Sequence, residues 1–222
     1  MKKKALWILL VALAIVIGFY PMVYIVLDKQ FGLLSFKSTS LLTNPFWNSA
    51  FYIHIFLGGL ALLIGWAQFG TKFRNKNRGL HKQIGKVYVL SVLLSSVAGI
   101  YIAFSATGGL LTALGFICLG VIWFATTLMA FVSIKNRQVQ LHQKLMIYSY
   151  AACFAAVTLR IWLPLLVVLI GDFIIAYTIV AWLCWIPNLV AANLIIKRSI
   201  VKVNTTTDST PYHFGYQNRP SI

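Results

Sequence analysis

Acidic residues are almost absent from this chain of 222 residues, which contains only Asp28, Asp172 and Asp208. Charged residues of both signs make up 10% of the sequence, whereas soluble domains usually carry about 25%. Because the chain is also 60% hydrophobic, its polar side chains cannot cover a water-soluble globule, and lipid must be the solvent for most of it. The scarcity of charge therefore excludes a soluble domain and indicates a membrane protein.

Several motifs of hydrolytic and metal chemistry are also missing. The sequence has no His-Glu-x-x-His or Gly-x-Ser-x-Gly motif, and no carboxylate falls inside an apolar run. Cys118, Cys153 and Cys184 lie in apolar runs without a Cys-x-x-Cys pair, which is typical of small packing residues rather than of a disulfide framework. These absences argue against a zinc enzyme, a serine hydrolase and an intramembrane protease.

Six apolar runs approach or exceed the length of about 20 residues that a helix needs to cross the hydrocarbon core. The first run follows Met1-Lys2-Lys3-Lys4 and has no Ala-x-Ala cleavage site after it, so we interpret it as an uncleaved anchor. We therefore predict an all-α membrane protein, a bundle of six transmembrane helices over residues 1–198, followed by a disordered tail at 199–222. The predicted spans are about 5–27, 49–69, 87–107, 110–134, 145–170 and 173–196.

Lysine and arginine are distributed unequally between the two sides of the predicted membrane. Of the cations that flank the spans, only Lys29 and Lys37 fall on one side, and the others lie in the even-numbered loops and beside the two ends. The positive-inside rule then predicts that both termini are cytoplasmic, in a bacterial inner membrane. The net charge of +16 is explained by these topology signals, so we expect the lipid bilayer and not a nucleic acid as the partner.

Polar side chains on the second and fifth predicted spans repeat at helical spacing, so each set falls on one helix face. At about 1.5 Å per residue, His54 and Arg160 lie roughly 8–12 Å below the outer surface, whereas Gln68, His81 and His142 lie at the inner surface. We therefore predict two polar layers, with the second, third and fifth spans around the space between them. The two faces consist of His54, Gly58, Ala61, Gly65 and Gln68, and of His142, Met146, Ser149, Cys153, Ala156, Arg160 and Pro164.

Arg160 is the most informative of these residues, because it stays charged and no predicted span contains a carboxylate to neutralise it. Arg160 could pair with Asp172, snorkel to the outer surface, bind a lipid headgroup, or receive an anionic or carbonyl-bearing ligand. His54 could be a second contact for that ligand or could hydrogen-bond a neighbouring helix. One hypothesis is thus a carrier or receptor for a small anionic or lipid-like molecule, bound by Arg160 and His54.

His81 and His142 support a different hypothesis, because each precedes a span at the inner surface and bis-histidine haem needs two imidazoles at one depth. They could ligate the iron of one b-type haem, or a metal ion, with Gln68 and Met146 beside the cofactor. The same histidines could instead only start their helices and contact headgroups. Too few histidines lie near the membrane for a relay of two haems. In a third hypothesis the chain is a non-catalytic accessory subunit, and its polar layers only fix helix packing.

Three segments resemble a family of bacterial membrane proteins known as domain of unknown function 2306. They are His54–Phe69, His81–Tyr88, and the fifth-span stretch that begins at His142-Gln143-Lys144 and ends at Thr158-Leu159-Arg160. The family pattern has arginine and tryptophan at positions where this chain has Lys82, Gln143 and Leu145. The resemblance implies a helical membrane bundle over roughly residues 50–165 and implies no activity. A looser likeness to haem-binding bundles of the cytochrome b561 type is an analogy of fold.

Overall fold

The computed structural model of the chain describes residues 2–26 and 32–207, with side chains for 4–26 and 32–198. Within these residues the structure is all-helical, and six helical segments are long and apolar enough to cross a membrane. The predicted all-α fold with six long apolar helices is thus confirmed, whereas the sidedness of the termini stays a prediction. The spans, numbered first to sixth, are Lys4–Val26, Pro45–Phe69, Arg78–Ala103, Leu110–Lys135, Val139–Ile170 and Phe173–Arg198.

Short connections make consecutive spans run in opposite directions, so the bundle has two distinct ends. At one end, the basic end, the helix Thr71–Lys76 joins the second span to the third, and residues 136–138 join the fourth to the fifth. At the other, the distal end, a 3₁₀ helix at Gly32–Phe36 and an α-helix at Thr39–Leu42 lead into the second span. Residues 104–109 link the third and fourth spans at this end.

Polar side chains cap the starts of the second and sixth spans at the distal end. The Asn44 side-chain oxygen accepts hydrogen bonds from the backbone N–H groups of Phe46 and Trp47 at 3.0 and 3.1 Å, which satisfies two of the free donors that open the second span. Asp172 caps the sixth span in the same way, because its carboxylate accepts the N–H of Ile175 at 2.8 Å. The single acidic residue whose side chain the structure describes is therefore used for capping.

Several helices begin or end at residues other than those predicted. The third span starts at Arg78, whereas the apolar run predicted a start near residue 87. Lysines of the first turns can remain helical while their ammonium groups reach the interface, so an apolar run underestimates the length of the helix. The last helix continues to Thr207, beyond the predicted start of the tail at 199, and residues 208–222 lie outside the described residues.

Three spans are interrupted within their length. Pro21 lies in a 3₁₀ turn, Tyr20–Met22, that interrupts the first span. The fifth span consists of helices Val139–Cys153 and Ala155–Ile170, which meet at Phe154. The sixth span is broken before Ile186, the residue that precedes Pro187 in the first turn of the last helix, where proline is tolerated. These interruptions leave room inside the bundle at the level of the distal half.

Glycines allow some spans to approach each other closely. A Cβ atom on Gly59 would lie 2.7 Å from the Gly18 carbonyl oxygen, so the first and second spans touch through their backbones there. A Cβ atom on Gly115 would lie 2.9 Å from the Ala181 carbonyl oxygen, where the fourth and sixth spans cross. Small residues at such crossings are the usual route to tight helix packing in membranes. They hold six helices around one central space.

Candidate functional site

A cavity of about 240 Å³ extends from the distal end toward the middle of the bundle. All six spans contribute to its wall, whereas the sequence predicted only the second, third and fifth around this space. The predicted outer pair, His54 and Arg160, lies on the wall of this one cavity. Each span contributes at least one of the lining residues Pro21, His54, Gly99, Trp123, Arg160 and Tyr177.

Arg160 is partly buried and is held by contacts that leave its charge unpaired in the described part of the chain. Its guanidinium carbon lies 4.3 Å from the centre of the Tyr20 ring, and one terminal nitrogen donates to the Ala156 carbonyl oxygen at 2.8 Å. Asp172, the sequence-predicted partner, caps the sixth span instead, and Asp28 lies outside the described residues. The guanidinium has five N–H donors, so most of them remain for another acceptor.

His54 is fixed on the cavity wall by the third span. Its Nδ1 lies 2.9 Å from the Ser95 carbonyl oxygen, and the Ser95 hydroxyl donates back to the His54 carbonyl oxygen at 2.8 Å. A Cβ atom on Gly99 would lie 2.6 Å from Nδ1, so only glycine leaves room for the ring here. The ring thus bonds a neighbouring helix, as one reading of the sequence had it, and it also lines the cavity, whereas its contact with a ligand stays a prediction.

Lys37 adds a second cation to the cavity wall. It follows the 3₁₀ helix at the distal end, and its ammonium group donates to the Ser105 carbonyl oxygen in the link between the third and fourth spans. Burial lowers the pKa of Lys37 below its ordinary value of 10.5. The sequence identified Lys37 only as a topology signal. Its position as one of two cations in a predicted outer loop was the available hint that it had another role.

The remaining wall of the cavity is mainly apolar and aromatic. Trp47 and Phe51 stack with their ring centres 5.5 Å apart near the distal end, and Phe116 and Trp123 line the wall from the fourth span. Trp47 is 3% exposed, and its indole N–H has no hydrogen-bond partner among the residues that the structure describes. Among the described residues that line the cavity, the charged ones are Lys37 and Arg160 and none is acidic. This combination suits an anion that carries an apolar body.

The predicted inner residues lie at the basic end and do not line this cavity. His142 Nδ1 lies 2.9 Å from the Ala130 carbonyl oxygen, and His81 is close enough to His142 for the two rings to interact electrostatically. Gln68 is 9% exposed. Within the described part of the chain, neither its amide nitrogen nor His81 Nδ1 has a hydrogen-bond partner. Met146 packs in the hydrophobic core.

A layer of fully buried hydroxyl groups lies between the cavity and the basic end. The Tyr88 hydroxyl is 2.8 Å from the Ser149 hydroxyl, which is 2.6 Å from the Thr127 hydroxyl. Tyr88 comes seven residues after His81 and seven before Ser95 on the third span, so this layer is intermediate in height. Tyr88, Ser149 and Thr127 are each 0% exposed, so the bundle is filled at this level.

The comparison with protein families gives one match, and the matched segment contains most of the residues that line the cavity. Residues 51–196 match the model of a family described as predicted membrane protein (DUF2306). Neither a curated protein nor a solved structure matches the chain. The matched segment contains His54 and Arg160, and also the histidines of the basic end, whereas Tyr20 and Lys37 precede it.

Proposed function

We propose that this chain, which belongs to the DUF2306 family of predicted membrane proteins, binds a small anionic, lipid-like molecule in the cavity of its distal half. The anionic group would contact the cations Arg160 and Lys37, His54 would contact a polar group beside it, and the apolar part would lie against the aromatic wall. By the positive-inside rule the distal end would face the outside of a bacterial inner membrane. The protein would then serve as a receptor or carrier for a molecule that arrives from that side.

The observation that carries the proposal is the pair of cations on a cavity wall that has no acidic residue in its described part. A charge inside a bundle is unfavourable unless it is paired, and such residues usually mark ligand or ion sites. Among the described residues, the Tyr20 ring and one carbonyl oxygen compensate Arg160 only in part, because both leave most of its N–H groups unused. An anionic ligand would supply the missing acceptors.

The size of the cavity limits what it can hold. Its 240 Å³ corresponds to roughly eight water molecules at about 30 Å³ each, and lies just below the range of about 300–1,000 Å³ for drug-sized ligands. A short fatty acid or the head portion of a longer lipid therefore fits better than a large cofactor. Octanoate is a suitable probe, because it joins one carboxylate to a short apolar chain.

The test is octanoate binding to the purified full chain in detergent, measured by calorimetry and by the shift in Tm, with 1-octanol as the uncharged control. Arg160→Gln should weaken octanoate binding by about 10- to 100-fold, because a hydrogen bond to a charged group contributes about 1.5–3 kcal/mol. Arg198→Gln removes the same charge at the exposed far end of the last span and should leave binding unchanged. Equal binding by wild type and Arg160→Gln would refute the proposal.

A second candidate function is a single haem or metal ion at the basic end. It is favoured by the bond of His142 Nδ1 to the Ala130 carbonyl oxygen, because metal-ligating histidines usually donate their other N–H in this way and keep Nε2 free. His81 and His142 would be the iron or metal ligands, with Gln68 beside them. Protein from haem-replete cells should then show a Soret band that His81→Ala and His142→Ala each remove. Colourless, metal-free protein would refute this candidate.

A further inference from the structure

The hydrogen bonds of His54 define which ring nitrogen carries the proton. A backbone carbonyl oxygen can only accept, so the 2.9 Å contact between Nδ1 and the Ser95 carbonyl requires a proton on Nδ1. The Ser95 hydroxyl, which donates to the His54 carbonyl oxygen, leaves its own oxygen facing Nδ1 at 3.2 Å as a weaker second acceptor. Neutral His54 therefore has its lone pair on Nε2.

The same site disfavours a second proton on the ring. Arg160 and Lys37 are cations on the wall of the same cavity, and the described part of that wall offers no carboxylate to stabilise an imidazolium. A third positive charge inside the bundle would add repulsion where one cation already lacks a full set of acceptors. Nε2 is thus a hydrogen-bond acceptor on a residue that lines the same cavity as two cationic donors.

We propose that the ligand of this cavity is a hydroxy acid, whose hydroxyl group donates to His54 Nε2 while its anionic oxygens accept from Arg160 and Lys37. This inference rests on the proposed function and narrows its substrate class. A plain carboxylate satisfies the cations and leaves the Nε2 lone pair without a donor. A ligand with a hydroxyl next to its anionic group satisfies all three side chains at once, because it carries one donor beside its acceptors.

Ser95 is the positioning residue of this arrangement. Its carbonyl oxygen and its hydroxyl bond the ring and the backbone of His54, so the third span sets the tautomer without touching the ligand. Gly58 leaves room for Ser95 to approach the second span, because a Cβ atom on Gly58 would lie 3.1 Å from the Ser95 hydroxyl oxygen. The acceptor at Nε2 is therefore built into the packing of the second and third spans.

The test compares three probes on the wild-type full chain: octanoate, 2-hydroxyoctanoate and 2-methoxyoctanoate. The hydroxy acid should bind about 3- to 10-fold more tightly than octanoate, the effect of one neutral hydrogen bond. The methoxy acid has the extra oxygen without the proton and should bind no better than octanoate. These ratios need no variant, so a folding defect cannot obscure them.

His54→Phe keeps a ring of similar size but has no acceptor, so 2-hydroxyoctanoate and octanoate should bind this variant with about equal affinity. His54→Gln can present an amide oxygen near Nε2 and should restore part of the preference. If octanoate binds through Arg160 but the hydroxyl gives no advantage, or the methoxy acid gains as much, this inference is overturned and the proposed function stands. If no probe binds wild type, the proposed function itself is refuted.

Discussion

The contact between Arg160 and Tyr20 can be measured by a double-mutant cycle. Tyr20→Leu removes the ring and Arg160→Gln removes the charge, and the double variant removes both. Tyr20 precedes the matched segment 51–196, so the cycle also tests whether the first span contacts the family segment at Arg160. The quantity of interest is the coupling between the two changes, because each variant alone also alters local packing.

The structure sets the expected size of this coupling. The guanidinium carbon lies 4.3 Å from the ring centre, well inside the limit of about 6 Å for a cation–π interaction. Because both groups are partly buried, the coupling should be about 1–2 kcal/mol, above the value of roughly 0.5–1 kcal/mol for exposed pairs. For a protein of this size 1 kcal/mol shifts Tm by about 2–4 °C, so the coupling corresponds to roughly 2–8 °C.

The assay is thermal unfolding of the four proteins in one detergent, followed by tryptophan fluorescence. The heating rate is kept fixed, because Tm depends on that rate when unfolding is irreversible. Tyr101 is 49% exposed and does not line the cavity, so Tyr101→Leu combined with Arg160→Gln is the matched control and should be additive. Additive shifts for the Tyr20 cycle would refute the argument that the ring stabilises the cation.

Two further predictions concern helix packing and the second cation. Gly115→Ala should lower Tm by roughly 2–12 °C, because its methyl group would meet the Ala181 carbonyl oxygen at 2.9 Å and overpacking costs about 1–3 kcal/mol. Gly79→Ala, which has no heavy atom within 4 Å of the added methyl, is its control and should leave Tm unchanged or raise it slightly. Octanoate affinity should fall as pH rises through the pKa of Lys37, which burial places below 10.5, because the ammonium group then loses its charge. Lys37→Arg stays charged and should show no such fall, and parallel pH profiles for the two proteins would contradict the placement of Lys37 at the anion.

The helical content and the number of spans could be predicted from the sequence because they depend on local composition. Six long apolar runs separated by charged or glycine-containing links have few alternatives in a membrane, where only helices and closed barrels satisfy the backbone. The interruptions within spans could not be predicted in the same way. Phe154 breaks the fifth span although neither proline nor glycine is near it, so tertiary packing must decide that break.

The sequence could predict that His54 and Arg160 lie in one layer. Polar residues are rare in the apolar runs, and counting residues along each run gives their depth. The cavity that joins them, including the contributions of the first, fourth and sixth spans, depends on how helices pack side by side. The Tyr20 contact and the position of Lys37 were missed for the same reason. A tyrosine inside an apolar run usually serves packing and a lysine in a loop usually lies at the interface, and only tertiary structure gives them another role.

A structural role and a binding role at the distal end use different atoms of the same residues. The Ser95 bond occupies Nδ1 of His54, whereas a ligand would use Nε2; the Tyr20 contact uses the face of the Arg160 guanidinium, whereas a ligand would use its N–H edge. If the chain is a non-catalytic accessory subunit, His54→Phe and Arg160→Gln should lower Tm equally with and without a hydroxy acid. If the cavity binds that acid, Arg160→Gln should also abolish the increase in Tm that the acid gives wild type. Measuring Tm for wild type and both variants, with and without 2-hydroxyoctanoate, therefore separates the two roles. Tm without ligand responds to the loss of either role, whereas the change in Tm on adding the acid responds only to binding.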